Sequence, residues 1–80
     1  MSKYLVTLKC SPRQLLEFED TLIDSTDKKV RSVGHTFDNP TVRVTVEHTS
    51  ATEAQLLVRN ILAQKGHEVS PDLFVVVKLS

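Results

Sequence analysis

Two helix-start signals, each directly behind an alternating stretch, limit what this chain can fold into. The first begins at Ser11, where Pro12 and then Gln14 complete a capping box with proline in the first turn. The second begins at Ser50, with Glu53 three residues later. The pattern therefore changes twice from strand spacing to helical spacing, which predicts two strand-to-helix units within one chain.

The stretches before these two signals alternate with a period of two. In the first, the apolar set is Tyr4, Val6, Leu8 and Cys10; in the second, "TVRVTVEH", it is Val42, Val44, Val46 and His48. Such alternation is typical of a strand with one buried face. The turn-rich segment "FDNP" joins the second stretch to a further strand at about 28–37, which predicts a hairpin.

The apolar residues behind each helix start recur at helical spacing. They are Leu15, Leu16, Phe18, Leu22 and Ile23 in the first helix, and Ala54, Leu57, Val58, Ile61 and Leu62 in the second. Gly66 is the natural stop for the second helix. Behind Pro71, the run "LFVVVKL" is apolar on both faces, which predicts a last strand in a covered position.

The resulting order is strand, helix, strand, strand, helix, strand. Right-handed connections then place both helices on one face of the sheet. We therefore predict a single α+β domain over residues 1–80, a ferredoxin-like βαββαβ sandwich. Its four-stranded antiparallel sheet has the order 4-1-3-2, and one face of that sheet is open.

Charge and cysteine content narrow the function classes. Ten basic and ten acidic residues cancel, so the net charge does not call for nucleic acid or an anionic membrane. A single cysteine cannot form an internal disulfide. The start of the chain lacks the features of a signal peptide, and no apolar run approaches the roughly 20 residues that span a bilayer. We expect a cytoplasmic protein without a membrane segment.

Cys10 ends the first strand within the stretch Leu8-Lys9-Cys10-Ser11-Pro12-Arg13, and the second helix closes with "AQKGHEV". With this fold, the pattern resembles the heavy-metal-associated domain of copper chaperones and metal-transporting ATPases over roughly residues 3–77. The family motif is C-x-x-C with a methionine two places before its first cysteine; here Arg13 replaces the second cysteine and Leu8 the methionine. The resemblance leaves Cys10 and His67 as candidate metal ligands.

Two other interpretations of Cys10 stand beside that resemblance. In one, the residue is a small core side chain at a strand end. In the other, its position before a helix N-terminus and near Arg13 lowers its pKa and makes it reactive. We predict that the protein binds no metal ion and no cofactor.

Catalytic constellations are missing from the sequence. The only glycines are Gly34 and Gly66, so there is no phosphate-binding loop. Histidines at 35, 48 and 67 lack zinc-ligand spacing, and the acidic residues mostly line one helix stripe. We therefore predict a non-enzymatic protein.

The open sheet face is the predicted binding surface. Its partner-binding residues are predicted to be Leu5, Thr7, Arg43, Phe74, Val76 and Lys78. In this prediction Leu5, Phe74 and Val76 form an apolar patch rimmed by lysines, and exposed patches of this kind mark contacts. The predicted function is a protein–protein interaction or regulatory module. Its partner is a second copy or another protein, as for a phage or accessory modulator of a host protein.

Single-stranded nucleic acid is the second alternative after the metal site. The fold resembles the RNA-recognition motif, and the predicted open face has four basic residues against one acidic residue. That family, however, stacks bases on aromatic residues of the two central strands. Those strands have no exposed ring here, so nucleic acid ranks below a protein partner.

Overall fold

The computed structural model describes all 80 residues. Its elements are β1 (Ser2–Lys9), α1 (Pro12–Ile23), β2 (Val30–Thr36), β3 (Thr41–His48), α2 (Ala51–Gln64) and β4 (Phe74–Lys78), with a short 3-10 turn at Pro71–Leu73. The predicted order of strands and helices is confirmed. Neither helix has the length and apolar character needed to cross a bilayer.

The four strands form one antiparallel sheet with the order β2-β3-β1-β4. This is the predicted order 4-1-3-2 counted from the other edge. β1 and β3 are the central strands, and β2 and β4 are the two edges. The α+β ferredoxin-like class follows from this sheet and its two helices.

The core lies between the helices and one face of the sheet. Its 13 buried apolar residues are Tyr4, Val6, Leu8, Leu15, Phe18, Leu22, Val42, Val44, Val46, Ala54, Val58, Leu62 and Phe74. The alternation in β1 and β3 therefore predicted the buried face of both central strands correctly. Burial of each such side chain is worth about 1.5–3 kcal/mol.

The helix starts follow the predicted serine caps. At α1 the capping box is complete: the Gln14 N–H donates to Ser11 Oγ at 3.2 Å, and the Ser11 N–H donates to Gln14 Oε1 at 3.2 Å. At α2 the Glu53 N–H donates to Ser50 Oγ at 3.2 Å. The return bond from the Glu53 side chain is missing, so the second capping box is confirmed in one half only.

The end of α2 is fixed by Gly66, whose φ of +85° lies in the left-handed region that favours glycine. The His67 N–H donates to the Leu62 carbonyl at 2.9 Å, and the Gly66 N–H donates to the Ala63 carbonyl at 3.0 Å. These two bonds form a Schellman motif. The stop predicted at Gly66 is confirmed.

The apolar face of α1 is narrower than predicted. Leu16 and Ile23 are 51% and 57% exposed, and only Leu15, Phe18 and Leu22 are buried. A helix on one side of a sheet buries a single stripe, and these two residues lie outside it.

The prediction for β4 was wrong in two respects. β4 lies at the edge of the sheet, as the predicted strand order requires, but its outer face is uncovered, whereas a covered position was predicted. The predicted facing of its side chains is also reversed, because Phe74 pairs with the buried Leu8 and Val76 with the buried Val6. Directly paired residues share a face, so Phe74 and Val76 lie beneath the helices.

Candidate interaction surface

The uncovered face of the sheet carries a row of apolar side chains along β4. Val77 pairs with Leu5 and Val75 with Thr7, which places both valines on this face. They are 50% and 53% exposed. The apolar strip, as we call it, consists of Leu5, Leu73, Val75, Val77 and Leu79.

Position in the sheet explains the exposure of the strip. Leu79 continues β4 along Lys3, since its N–H donates to the Lys3 carbonyl at 2.7 Å. Leu73 lies directly before the strand and is 40% exposed, and Leu79 is 52% exposed. Both helices pack on the opposite face, so nothing in the chain covers these side chains.

Polar and basic side chains occupy the rest of the open face. Thr7 pairs with Arg43, and Lys9 pairs with Thr41. Arg43 donates from Nη2 to the His35 carbonyl at 3.3 Å, which holds its side chain over β2. The open face is therefore apolar on the β4 side and polar towards β2.

The charge on this face is mostly positive. Lys3, Lys9 and Arg43 are exposed and have no carboxylate partner. The one acidic residue, Glu47, accepts an ion pair from Arg31 at 3.0 Å. The uncompensated charge around the apolar strip is therefore basic.

The predicted partner-binding residues divide into two groups. Leu5, Thr7 and Arg43 are on the open face, as predicted. Phe74 and Val76 are not, and Lys78 pairs with Tyr4 on the helix side of the strand end, where it is exposed. The predicted patch of Leu5, Phe74 and Val76 therefore does not exist.

Val75 and Val77 were missed because β4 is apolar at every position but one. Alternation gives no signal in such a strand, because Lys78 is its only polar residue. The useful signal was size, since Phe74 is the bulkiest residue of the strand and gains most from burial. It is 8% exposed.

Cys10 and His67 have different neighbours in the structure. The Cys10 N–H donates to the Pro40 carbonyl at 3.1 Å, and its Sγ lies 3.9 Å from the same oxygen. The His67 ring packs edge-on against Phe18 with 5.1 Å between ring centroids. No group of three or more histidine, cysteine or acidic side chains is arranged to hold a metal ion.

The pKa of the Cys10 thiol also argues against the interpretation of Cys10 as a reactive residue. Burial raises the pKa of its thiol, because desolvation disfavours the thiolate. The reactive interpretation requires a lowered pKa, which is opposite in direction to this effect. The structure favours a small side chain packed at the strand end.

Two polar features lie outside the open face. On the helix side, the His35 ring contacts the Glu19 carboxylate and packs on Phe37 with 4.6 Å between centroids. A shallow groove of about 590 Å³ lies between α2 and the segment before β4. Arg59 lines this groove, and its Nε is buried without a hydrogen-bond partner.

Comparison with protein-family models, curated proteins and solved structures finds no match to this chain. The geometry and chemistry of its surface are therefore the basis for assigning a function.

Proposed function

We propose that this chain is a small non-enzymatic protein–protein interaction module that binds through the open face of its sheet. The observation that supports the proposal is the apolar strip. Four of its members are 40–53% exposed: Val75 and Val77 lie within β4, Leu73 directly precedes the strand and Leu79 directly follows it. Scattered exposed apolar residues are ordinary, but a contiguous row marks a contact surface.

The charge around the apolar strip defines the chemistry of the partner. Lys3, Lys9 and Arg43 carry positive charge on the same face. A protein surface with an apolar centre and acidic residues at its rim complements this arrangement. A module of this kind acts by occupying or assembling its partner, as regulatory and accessory proteins do. Its single free thiol suits a reducing, cytoplasmic compartment.

The basic residues of this face also favour polyanions, so single-stranded nucleic acid is the competing ligand. Sequence-tolerant binding of single strands depends on aromatic rings on which bases stack. Phe74, the one ring that was predicted on this face, lies beneath the helices. The open face therefore attracts phosphates without a stacking platform, which favours a protein partner.

Paired substitutions on opposite sides of the molecule test the proposal. Val75→Lys with Val77→Lys changes the apolar strip, whereas Leu16→Lys with Ile23→Lys changes α1 at residues of matching exposure, 50–57% in all four cases. A partner captured from cell extract by the unaltered chain is identified, purified and titrated against each variant by calorimetry. We expect at least about tenfold weaker binding for the strip variant.

The control variant should bind its partner within about twofold of the unaltered chain. Equal affinity for the strip variant and the unaltered chain would contradict the proposal. A single-stranded RNA oligonucleotide titrated at low and high salt provides the other arm. Tight binding that persists at about 0.2 M salt would favour nucleic acid instead.

A further inference from the structure

The outer edge of β4 has backbone groups that no part of the chain satisfies. The Leu79 N–H donates to the Lys3 carbonyl, so Leu79, Val77 and Val75 direct their backbone groups towards β1. Alternate residues point the opposite way. The N–H and carbonyl groups of Val76 and Lys78 therefore face outward, as does the carbonyl of Phe74.

We propose that two copies of this chain pair antiparallel through their β4 strands, centred on Val76, and form one continuous eight-stranded sheet. Val76 then lies opposite Val76 of the second copy and exchanges two backbone hydrogen bonds with it. Lys78 of each copy donates to the Phe74 carbonyl of the other. The Phe74 N–H is already bound to the Pro71 carbonyl, so every outward N–H has an acceptor and the outward carbonyl of Lys78 is left to solvent.

This register is complementary in its side chains as well. On the open face it places Val75 opposite Val77 of the second copy, and it brings Leu79 towards Leu73, the last residue of the other copy's 3-10 turn. On the helix side it places Val76 against its own copy, and Phe74 against the aliphatic part of Lys78. Cross-strand pairs of this kind are the main source of stability in a sheet.

Charge favours the same register. Centred on Val76, each Lys78 lies opposite Phe74 of the other copy, so the two lysine side chains stay apart. A shift of the centre to Val77 places the two Lys78 side chains diagonally next to each other. A shift to Val75 requires Asp72 to pair as a strand residue, whereas it lies in the 3-10 turn. The zero net charge adds no general repulsion between copies.

This inference goes beyond the proposed function, because it concerns the backbone edge of β4 and a second copy rather than the open face and another protein. The two fit together geometrically. Pairing through β4 brings two apolar strips side by side about the symmetry axis, which doubles the surface available to a partner.

A pair of substitutions at Lys78 tests the edge. Lys78→Pro removes an outward N–H without touching a bond to β1, and Lys78→Ala keeps that N–H. Sedimentation equilibrium over about 10–500 μM covers the range expected for a contact at the small end of stable interfaces. We expect the unaltered chain to dimerise. Loss of two symmetric hydrogen bonds should raise the dissociation constant about thirtyfold in Lys78→Pro, and Lys78→Ala should stay within about threefold.

Amide hydrogen exchange gives a readout that needs no substitution. The amides of Val76 and Lys78 should become protected as the concentration rises, while the amide of Leu79 is protected throughout. A dimer whose Val76 and Lys78 amides exchange freely would use another surface and would overturn this inference. A chain that remains monomeric at about 500 μM would overturn it too.

Disulfide cross-linking tests the register in a Cys10→Ser background. Mixed Val75→Cys and Val77→Cys proteins should join to each other, because residues 75 and 77 face one another in a non-hydrogen-bonded pair about 4.5 Å apart at Cα. Each protein alone should cross-link more slowly. Faster joining of Val75→Cys or of Val77→Cys to itself would overturn the register. Lys78→Pro leaves the side chains of the apolar strip unchanged. Loss of the dimer with unchanged partner affinity in this variant therefore separates this inference from the proposed function.

Discussion

The two edges of the sheet differ in how readily they could pair with a strand of another molecule. The β2 edge has an irregular register between Val30 and Ser32, and Arg31 at that point pairs with Glu47. The β4 edge has a regular register along β1, and four of its five residues are apolar. Bulges and charges are the common means by which sheet edges avoid unwanted pairing.

The difference shows that protection in this molecule is local. The β2 edge has a bulge and a charged side chain, whereas the β4 edge is regular, apolar and unpaired on its outer side. Protection of one edge only is consistent with a molecule that associates through the other. This contrast gives four predictions, which follow from the largest expected effect to the smallest.

Replacement of Phe74 tests which face of β4 is buried. Phe74→Ala should lower the free energy of unfolding by about 3–5 kcal/mol, because it leaves a cavity against Leu8. Val75→Ala on the open face should cost less than about 1 kcal/mol. Urea unfolding followed by circular dichroism measures both. A larger loss at Val75 than at Phe74 would reverse the assignment.

Proline substitution tests which backbone groups of β4 are free. Val77→Pro removes an N–H that points to β1 and should cost about 3 kcal/mol of unfolding free energy. Lys78→Pro removes an outward N–H and should cost less than about 1 kcal/mol at concentrations where the chain is monomeric. Thermal unfolding of dilute protein compares the two. Equal losses would mean that β4 has no alternation of inner and outer groups.

The ion pair on the β2 edge should add little stability. Arg31→Ala breaks the pair with Glu47, and both side chains are accessible to solvent, at 55% and 28%. We expect a loss of at most about 1 kcal/mol, reduced further by salt. The informative measurement is the oligomeric state. A larger assembly in Arg31→Ala, absent in Arg31→Lys, would show that the charge guards the edge; unchanged assembly would assign the guarding to the bulge alone.

Cys10, at the hairpin end of the sheet, predicts a small pH effect. Burial raises the pKa of its thiol in the folded chain, so the unfolded chain loses that proton first as the pH rises. Its stabilising contribution is present in full below the ordinary thiol pKa and is lost as the pH rises through that value and the raised one. Unfolding of the native chain and of Cys10→Ala above about pH 9 should show a steeper decline for the native chain. Parallel curves would contradict this expectation.

The sequence predicted the fold well because its local signals agree with one another. In β1 and β3, polar and apolar residues alternate, so one arrangement of the faces is far better than the other. Ser11 and Gly66 mark a helix start and a helix end through backbone bonds that these residues are suited to make.

The candidate site was harder to predict, because it depends on choices that the pattern leaves open. β4 is apolar on both faces, so its facing was decided by the fit of Phe74 against Leu8 rather than by alternation. Burial beside Pro40 raises the pKa of the Cys10 thiol. Depth and fit arise from the assembled sheet and cannot be read from neighbouring residues in the chain.

A sheet that can pair through only one of its two edges limits how many molecules can assemble. If both edge strands could pair, each added molecule would present a free edge strand to the next one, and filaments would result. Here the β2 edge begins with an irregular register, so the proposed isologous assembly through β4 would be complete at two members. The register irregularity between Val30 and Ser32 would thus keep the assembly finite in size.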